Sequence, residues 1–296
     1  MHRSPFNAQI TPNLLEADRE LSVRRALEED LGSGDVTAAL VAQTQRARAT
    51  VVVREAAVLC GRDWFDAVFA AIDPDVTIRW SAADGDRLTA DQVVAELDGS
   101  ARSILSGERA ALNFLQTLSG TATVARQYAD ALAGTECRVL DTRKTTPGHR
   151  QLEKYAVAIG GGENHRVGLF DQALFKENHL ALAALAGQSL DELVTRARER
   201  SNAPVEIEVR DLDEARAARD AGADILMLDN FSIEELREAV RELRPDGAEA
   251  PRLEASGGIT LETLRAVAET GVDRISCGAL THSPQALDIA MYIDQP

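Results

Sequence analysis

Basic side chains are concentrated in one stretch of an otherwise acidic chain. The 296 residues include 32 Lys/Arg and 48 Asp/Glu, which gives a formal net charge of −16. Between Arg143 and Lys176 the balance reverses, with six basic and three acidic residues. Ion pairing on a surface produces such runs, and so does a pocket in which arginine forks bind carboxylates or phosphates. The six basic residues are Arg143, Lys144, Arg150, Lys154, Arg166 and Lys176.

Two carboxylates lie 21 residues apart, each near the end of an apolar segment. They are Glu208 and Asp229, and Glu206 shares a strand face with Glu208 because side chains alternate along a strand. One interpretation is that they are solvated acids at strand ends. The other is that they contact a sugar or hold Mg²⁺, which takes oxygen ligands and bridges phosphate substrates.

Glycine-rich segments add two features. Residues 160–162 are consecutive glycines and are predicted to form a loop that precedes His165 and Arg166. Ser256-Gly257-Gly258 and Gly278 follow the last two apolar segments. Backbone N–H groups at such positions of β/α barrels commonly bind phosphate. One such turn is common, but two at neighbouring strand ends favour a phosphate site.

Other chemistries lack their motifs in this sequence. The histidines and the three cysteines, Cys60, Cys137 and Cys277, have no zinc-ligand spacing and form no CxxC pair. There is no GxSxG, GxxxxGK[ST] or GxGxxG motif. The acidic charge disfavours nucleic acid, and no apolar run approaches the roughly 20 residues of a membrane helix. Because the amino terminus also lacks a signal-peptide core, we expect a cytoplasmic protein without nucleic-acid or membrane partners.

The elements that would position these residues alternate in the second half of the chain. Helices predicted there begin at Ser189, Asp211 and Ser232, each followed three residues later by Glu as in a capping box. Alternating strands and helices predict parallel βα units and a β/α barrel with fewer than eight strands. The predicted strands are 138–140, 173–175, 205–209, 225–228, 252–255 and 274–277.

The first 115 residues have a mixed pattern. Ala17–Leu31 is predicted to be a helix that Gly32 ends. A second helix is predicted at 102–118, with Leu105, Leu112 and Leu115 as its apolar stripe. Strands are predicted at 49–53, 76–80 and 92–97.

Several motifs together resemble one enzyme family. The motifs are residues 29–32, 34–37, 107–113, 141–148, 153–157, 160–166, 176–179, 227–230, 254–258 and 278–282. They resemble quinolinate phosphoribosyltransferase, and the resemblance runs from about residue 14 to the end. Three positions depart from the family pattern: His149 replaces an expected Leu, Glu177 an expected Asp, and Cys277 a small apolar residue.

The resemblance implies an α/β fold with two domains. An amino-terminal α/β sandwich, residues 1–115, would form the dimer. A carboxyl-terminal β/α barrel of reduced strand number, residues 116–296, would be catalytic, with a last helix that packs back on the first domain. The working unit would be a homodimer, alone or within a larger oligomer, and Arg109 would reach the pocket of the other subunit.

The resemblance also implies roles for individual residues. Lys144, Glu208 and Asp229 would be catalytic, and the two acids would also face magnesium, directly or through water or substrate. The remaining substrate-binding positions are Arg109, Thr142, Arg143, His165, Arg166, Lys176, Ser256, Gly257, Gly258 and Gly278.

The implied activity is a pentosyl transfer in NAD biosynthesis. Quinolinate and phosphoribosyl pyrophosphate would give nicotinate mononucleotide, pyrophosphate and carbon dioxide, with substrate-bound Mg²⁺ and no organic cofactor. The basic run fits this chemistry, because both substrates carry several negative charges. One alternative is a relative that uses nicotinate without decarboxylation. Another is a non-catalytic relative such as a molybdate-linked accessory protein, against which the joint presence of the basic and acidic site residues argues.

Overall fold

The computed structural model describes residues 10–244 and 250–294, which form two compact units. We call residues 10–126, 145–161 and those from 280 onward the sheet unit, and residues 127–144 and 162–279 the barrel unit. The first nine residues, which we searched for an export signal, lie outside the described residues. The helices are α1 Pro12–Leu31, α2 Arg62–Ile72, α3 Ala101–Ala131, α4 Arg150–Gly160, α5 Glu177–Leu185, α6 Leu190–Arg200, α7 Leu212–Asp220, α8 Ile233–Leu243, α9 Leu261–Ala268 and α10 Ala279–His282. The strands are β1 Arg46–Val53, β2 Ala57–Val58, β3 Thr77–Trp80, β4 Arg87–Leu88, β5 Gln92–Ser100, β6 Arg138–Leu140, β7 Ala173–Phe175, β8 Val205–Val209, β9 Ile225–Asp229, β10 Arg252–Ser256, β11 Arg274–Ser276 and β12 Ile289–Ile293.

The sheet unit is built on an antiparallel sheet of order β12-β1-β5-β3. Ala49, Val51 and Val53 alternate along β1 and bury one of its faces. Helix α2 contributes Trp64 and Phe69 to the same core, where both are buried. The predicted strands of the first half therefore exist. The carboxyl-terminal segment that we expected to return as a helix is the strand β12.

Helix α1 begins five residues earlier than predicted. The Thr11 side chain accepts a hydrogen bond from the Leu14 N–H at 3.3 Å, and Pro12 occupies the first turn, where its missing N–H costs nothing. Gly32 ends the helix, as predicted. The stripe predicted on the second helix is wrong at Leu105, which is 37% exposed.

Helix α4 corrects two expectations about the central motif. Gly160 is its last residue rather than part of a loop, and a Cβ there would lie 2.4 Å from the Ala122 carbonyl oxygen. Lys154 belongs to the basic run, which we interpreted as surface ion pairing or as an anion pocket, but it lies on α4 and is completely buried. Its truncation should therefore destabilise the fold.

The barrel unit contains six parallel strands in the order β6-β11-β10-β9-β8-β7, so β6 and β7 form the two edges. This confirms a β/α barrel with fewer than eight strands. The three predicted amino-terminal caps are also confirmed. Ser189, Asp211 and Ser232 each accept a hydrogen bond from the backbone N–H three residues later.

None of the helices within the described ranges is both long enough and apolar enough to cross a membrane.

Candidate active site

Most of the predicted site residues lie at one end of the barrel unit, where the six parallel strands have their carboxyl ends. In the strand pairing, Ser256 lies opposite Asp229, and Ser276 lies opposite Leu140. Polar residues that follow neighbouring strands are therefore neighbours in space. Counted across the sheet from β6, the strand ends carry Asp141 and Thr142, then Gly278, Ser256 to Gly258, Asp229, Glu208 and Lys176.

Two acids, Glu208 and Asp229, and two lysines, Lys144 and Lys176, form the centre of this carboxyl end of the barrel. The Lys176 ammonium forms an ion pair with Glu208, whose side chain is 15% exposed. Burial raises the pKa of Asp229, and the nearby Glu208 carboxylate raises it further, while Lys176 and Lys144 lower it. The strand ends therefore bring two carboxylates and two lysines close enough to influence one another's charge.

Asn230 joins the ends of β9 and β10. It has a left-handed φ of 59°, and its N–H donates to the Ser256 carbonyl at 2.9 Å. Its side-chain amide donates to Asp229 at 2.8 Å. Gly257 and Gly258 follow with φ of +101° and +56°, a conformation that residues with side chains rarely adopt, and Gly258 is exposed.

The segment after α4 is held by Asp141, which is fully buried at the end of β6. One carboxylate oxygen accepts the His165 backbone N–H at 2.9 Å, and the other accepts the Asn164 side-chain amide at 2.7 Å. A parallel bridge between Leu140 and Glu163 extends β6 into this segment. Three anchors therefore fix the backbone that carries His165 and Arg166.

The His165 ring lies in the interior of the barrel unit, where it is 5% exposed. Its Nε2 atom is 3.3 Å from a carboxylate oxygen of Glu206 and 3.3 Å from one of Glu254. Its Nδ1 atom accepts the Arg166 backbone N–H at 2.8 Å. The ring proton consequently lies on Nε2 and faces the two acids.

Electrostatics and hydrogen bonding favour different protonation states of this ring. Burial disfavours a charged imidazole, but Glu254 and Glu206 outweigh it and raise the pKa of His165 to about 10. A second proton would need the Nδ1 lone pair, which the Arg166 N–H occupies. The geometry therefore corresponds to the neutral ring, and a second proton would bind only if the Arg166 peptide moved.

The remaining predicted residues are distributed as follows. Arg143 is half-buried and Lys144 is exposed, and the Lys144 N–H donates to the Thr142 hydroxyl at 3.0 Å. Arg166 is 8% exposed. Arg109 lies exposed on α3 in the sheet unit. The basic run divides between the two units, because Arg150 and Lys154 belong to the sheet unit and the other four basic residues to the barrel unit.

Sequence reasoning missed the charged layer inside the barrel. Glu206 was noted only for its strand face, and Arg274 was not noted at all. Both are buried, with Arg274 2% exposed, and Arg274 Nε donates to Glu254 at 2.7 Å. A signal was present for the two acids, because Glu206 and Glu254 each stand between two apolar residues of a strand.

The six parallel strands and the polar residues at their carboxyl ends define the barrel unit as a β/α barrel of the kind that carries a site at its strand ends. Comparison with known families agrees. The sequence model of the quinolinate phosphoribosyl transferase C-terminal domain matches residues 121–292, and that of the N-terminal domain matches residues 35–119. The chain belongs to the quinolinate phosphoribosyltransferase family.

Individual relatives agree with this assignment. A Bacillus subtilis protein named probable nicotinate-nucleotide pyrophosphorylase [carboxylating] is 41% identical over 267 residues, which is 90% of each chain. The Mycobacterium leprae nicotinate-nucleotide pyrophosphorylase [carboxylating] is 40% identical, covering 91% of this chain and 95% of its own. The solved structure of the Francisella tularensis nicotinate-nucleotide pyrophosphorylase aligns with a TM-score of 0.88 at 40% identity, covering 99% of this chain and 100% of its own.

Proposed function

We propose that this chain transfers the phosphoribosyl group of phosphoribosyl pyrophosphate to quinolinate and releases pyrophosphate and carbon dioxide, giving nicotinate mononucleotide. The observation that carries the proposal is the pairing of cations and acids at one barrel edge. Lys176 contacts Glu208, and both Lys176 and Lys144 act on the pKa of Asp229. Family membership supports the same reaction.

The reaction requires that the two substrates are held in position, and it does not require a nucleophile from the protein. The lone pair of the quinolinate ring nitrogen forms a bond to the anomeric carbon as the bond to pyrophosphate breaks. The adjacent carboxylate then leaves as carbon dioxide, its bonding electrons are stabilised by the pyridinium, and a solvent proton replaces it. Fixed charges aimed at the developing sugar cation and the departing pyrophosphate lower the barrier to such a step.

Each group of residues has a role in this scheme. Arg143 and Arg166 bind carboxylates of quinolinate through their guanidinium forks. Lys144 and Lys176 offset the phosphate charges. Glu208 and Asp229 face the ribose and stabilise positive charge at its anomeric carbon. Thr142 completes the acceptor side, where His165 holds the backbone of Arg166 through its Nδ1 atom. The turn from Ser256 to Gly258, with Gly278, holds the 5′-phosphate through backbone N–H groups.

The acid pair also fits a magnesium ion. Glu208 and Asp229 offer the oxygen ligands that Mg²⁺ takes. Burial raises the pKa of Asp229 first, and repulsion from the Glu208 carboxylate, which a cation would relieve, raises it further. When bound with the substrate, Mg²⁺ would offset the charge of the leaving pyrophosphate. The chemistry requires no organic cofactor.

The assembly and location are part of the same proposal. The working unit is a cytoplasmic homodimer in which Arg109, exposed on α3, enters the active site of the second copy. In this arrangement the exposed Arg109 side chain would bind an anionic substrate in the active site of the second copy.

A choice of acceptor separates this reaction from its nearest alternative. Purified protein would be incubated with phosphoribosyl pyrophosphate, Mg²⁺ and either quinolinate or nicotinate. We expect nicotinate mononucleotide from quinolinate only. Product from nicotinate at a comparable rate would instead support a transferase that does not decarboxylate.

A further inference from the structure

A buried layer of charges lies directly below the strand-end site. Glu206 precedes Glu208 by two residues on β8, and Glu254 precedes Ser256 by two on β10, so each shares a strand face with the site residue above it. Two residues along a strand correspond to about 6.6 Å. Glu206 and Glu254 are fully buried, and Gln172 is 5% exposed.

The layer is a connected network that ends at His165. Arg274 lies opposite Glu254 in the pairing of β10 with β11 and donates to it at 2.7 Å. Gln172 donates its side-chain amide to Glu206. Both carboxylates face His165 Nε2, and His165 Nδ1 accepts the Arg166 N–H. A continuous path therefore runs from Arg274 to the backbone of Arg166.

We propose that Glu254, with Glu206 and Arg274, is a positioning group that holds the His165 ring and, through it, the Arg166 backbone in the orientation that binds the acceptor acid. The inference rests on the proposed function, because quinolinate is the acid concerned. These three residues do not touch the substrate. They act on its affinity by fixing a segment that Asp141 anchors from the other side.

A metal ion is a different use for the same atoms, since ligand atoms of His165, Glu206 and Glu254 lie within 4.8 Å of one another. The charges of Arg274 and Glu254 favour the positioning role over metal binding. The Arg274 guanidinium already offsets Glu254, and His165 and Arg274 together hold the pKa of Glu254 below its usual range despite burial. A divalent ion would add positive charge beside a buried guanidinium, which is unfavourable in a poorly solvated interior.

The test uses a charge-balanced variant, because Glu254→Gln alone would leave Arg274 buried without its carboxylate and could unfold the protein. Glu254→Met with Arg274→Met removes both charges and fills part of the space. Glu206→Gln is a second variant that leaves the pair between Glu254 and Arg274 intact. The matched control is Arg237→Met with Glu238→Met, an exposed Arg/Glu pair on α8.

The readouts are the Kd for quinolinate by calorimetry, the KM for each substrate, and the thermal midpoint. We expect the charge-balanced variant to weaken quinolinate binding about tenfold, as misplacing a binding group by a fraction of an ångström does. The KM for phosphoribosyl pyrophosphate should change less than twofold, and Glu206→Gln should show the same selectivity with a smaller effect. Adding the charge-balanced changes to Arg166→Ala should cost less than twofold, because the two act through one group.

Several results would overturn the inference. One is an unchanged Kd for quinolinate in both variants, and another is an equal rise in the KM of both substrates. Full additivity with Arg166→Ala would also reject it, as would a stoichiometric metal ion that is present in the purified wild-type protein and absent from the folded charge-balanced variant. These results differ from those expected if the proposed function itself is wrong, because the unmodified protein would then form no product.

Discussion

The Oδ1 atom of Asn230 lies 2.2 Å from the position that a Cβ on Gly257 would occupy. The Asn230 side chain can move away only by breaking its hydrogen bond to Asp229. The Asn230 backbone nitrogen, 2.9 Å from the same Cβ position, is held by the Ser256 carbonyl. Gly257 also has a φ of +101°, where a side chain is strained. The strand end that carries Asp229 is thus locked to the glycine turn.

Gly257→Ala should damage both this turn and the activity, whereas Gly258→Ala should be milder. Gly258 has a φ of +56°, but a Cβ added there would meet nothing within 4 Å, so its strain should be about 1–2 kcal/mol without a clash. We expect a clearly larger drop in the thermal midpoint for Gly257→Ala, together with a raised KM for phosphoribosyl pyrophosphate. Equal thermal midpoints for the two variants would show that the contact with Asn230 does not constrain the turn.

Arg143→Ala should weaken quinolinate binding. A hydrogen bond to a charged group contributes about 1.5–3 kcal/mol, which corresponds to roughly ten- to a hundredfold in Kd. Arg143→Lys should also bind poorly, because an ammonium cannot form the bidentate fork. Arg166→Ala should show the same loss, although Arg166 is 8% exposed and its truncation also removes buried contacts.

Calorimetric titration of quinolinate into these variants measures the effect. Arg196→Ala is the control, since Arg196 is exposed on α6. Circular dichroism would confirm that each variant is folded. Wild-type affinity in folded Arg143→Ala and Arg166→Ala would contradict the anion pocket.

Removal of divalent ions should abolish turnover. The acid pair of Glu208 and Asp229 has only oxygen ligands to offer, so Mg²⁺ or Mn²⁺ should restore activity and a zinc-selective chelator should have no effect. Asp229→Asn should raise the Mg²⁺ concentration needed for half-maximal activity. Full turnover after exhaustive chelation would contradict the requirement for magnesium.

Subunit mixing tests whether the active site is shared. Arg109→Ala and Lys144→Ala should each be inactive alone. If Arg109 serves the second copy, mixed dimers contain one site with both native residues, so activity should return to about a quarter of the wild-type value for random exchange at equal amounts. Subunit exchange would be verified by mass spectrometry. No recovery in verified mixed dimers would indicate that each site is complete within one chain.

The sequence predicted the repeating parts of the fold well, because local patterns determine them. All six barrel strands and the caps at Ser189, Asp211 and Ser232 were readable from apolar segments and short capping motifs. The polar residues at the strand ends followed, since parallel strands place their carboxyl ends together. Tertiary contacts were not readable. Gly160 is a helical residue that must lack a side chain because it closely approaches Ala122 on another helix, and the helix ends at Gly161, which has a left-handed φ of 97°. Glycine content alone does not distinguish these two positions.

Charge patterns were the least informative part of the sequence. The basic run contains Lys154, which is fully buried in the sheet unit, beside Lys144, which is exposed in the barrel unit. Nothing in the spacing of these residues distinguishes the two environments. The buried network around Glu254 was equally hidden, because its members come from four separate segments of the chain.

Release of carbon dioxide from quinolinate tests the central claim most directly. Quinolinate labelled in the carboxyl group next to the ring nitrogen would be incubated with the purified protein, phosphoribosyl pyrophosphate and Mg²⁺. We expect labelled carbon dioxide, pyrophosphate and nicotinate mononucleotide in equal amounts, with none formed when phosphoribosyl pyrophosphate is omitted. Absence of labelled carbon dioxide from a folded, magnesium-supplied protein, with both substrates present, would contradict the assigned reaction.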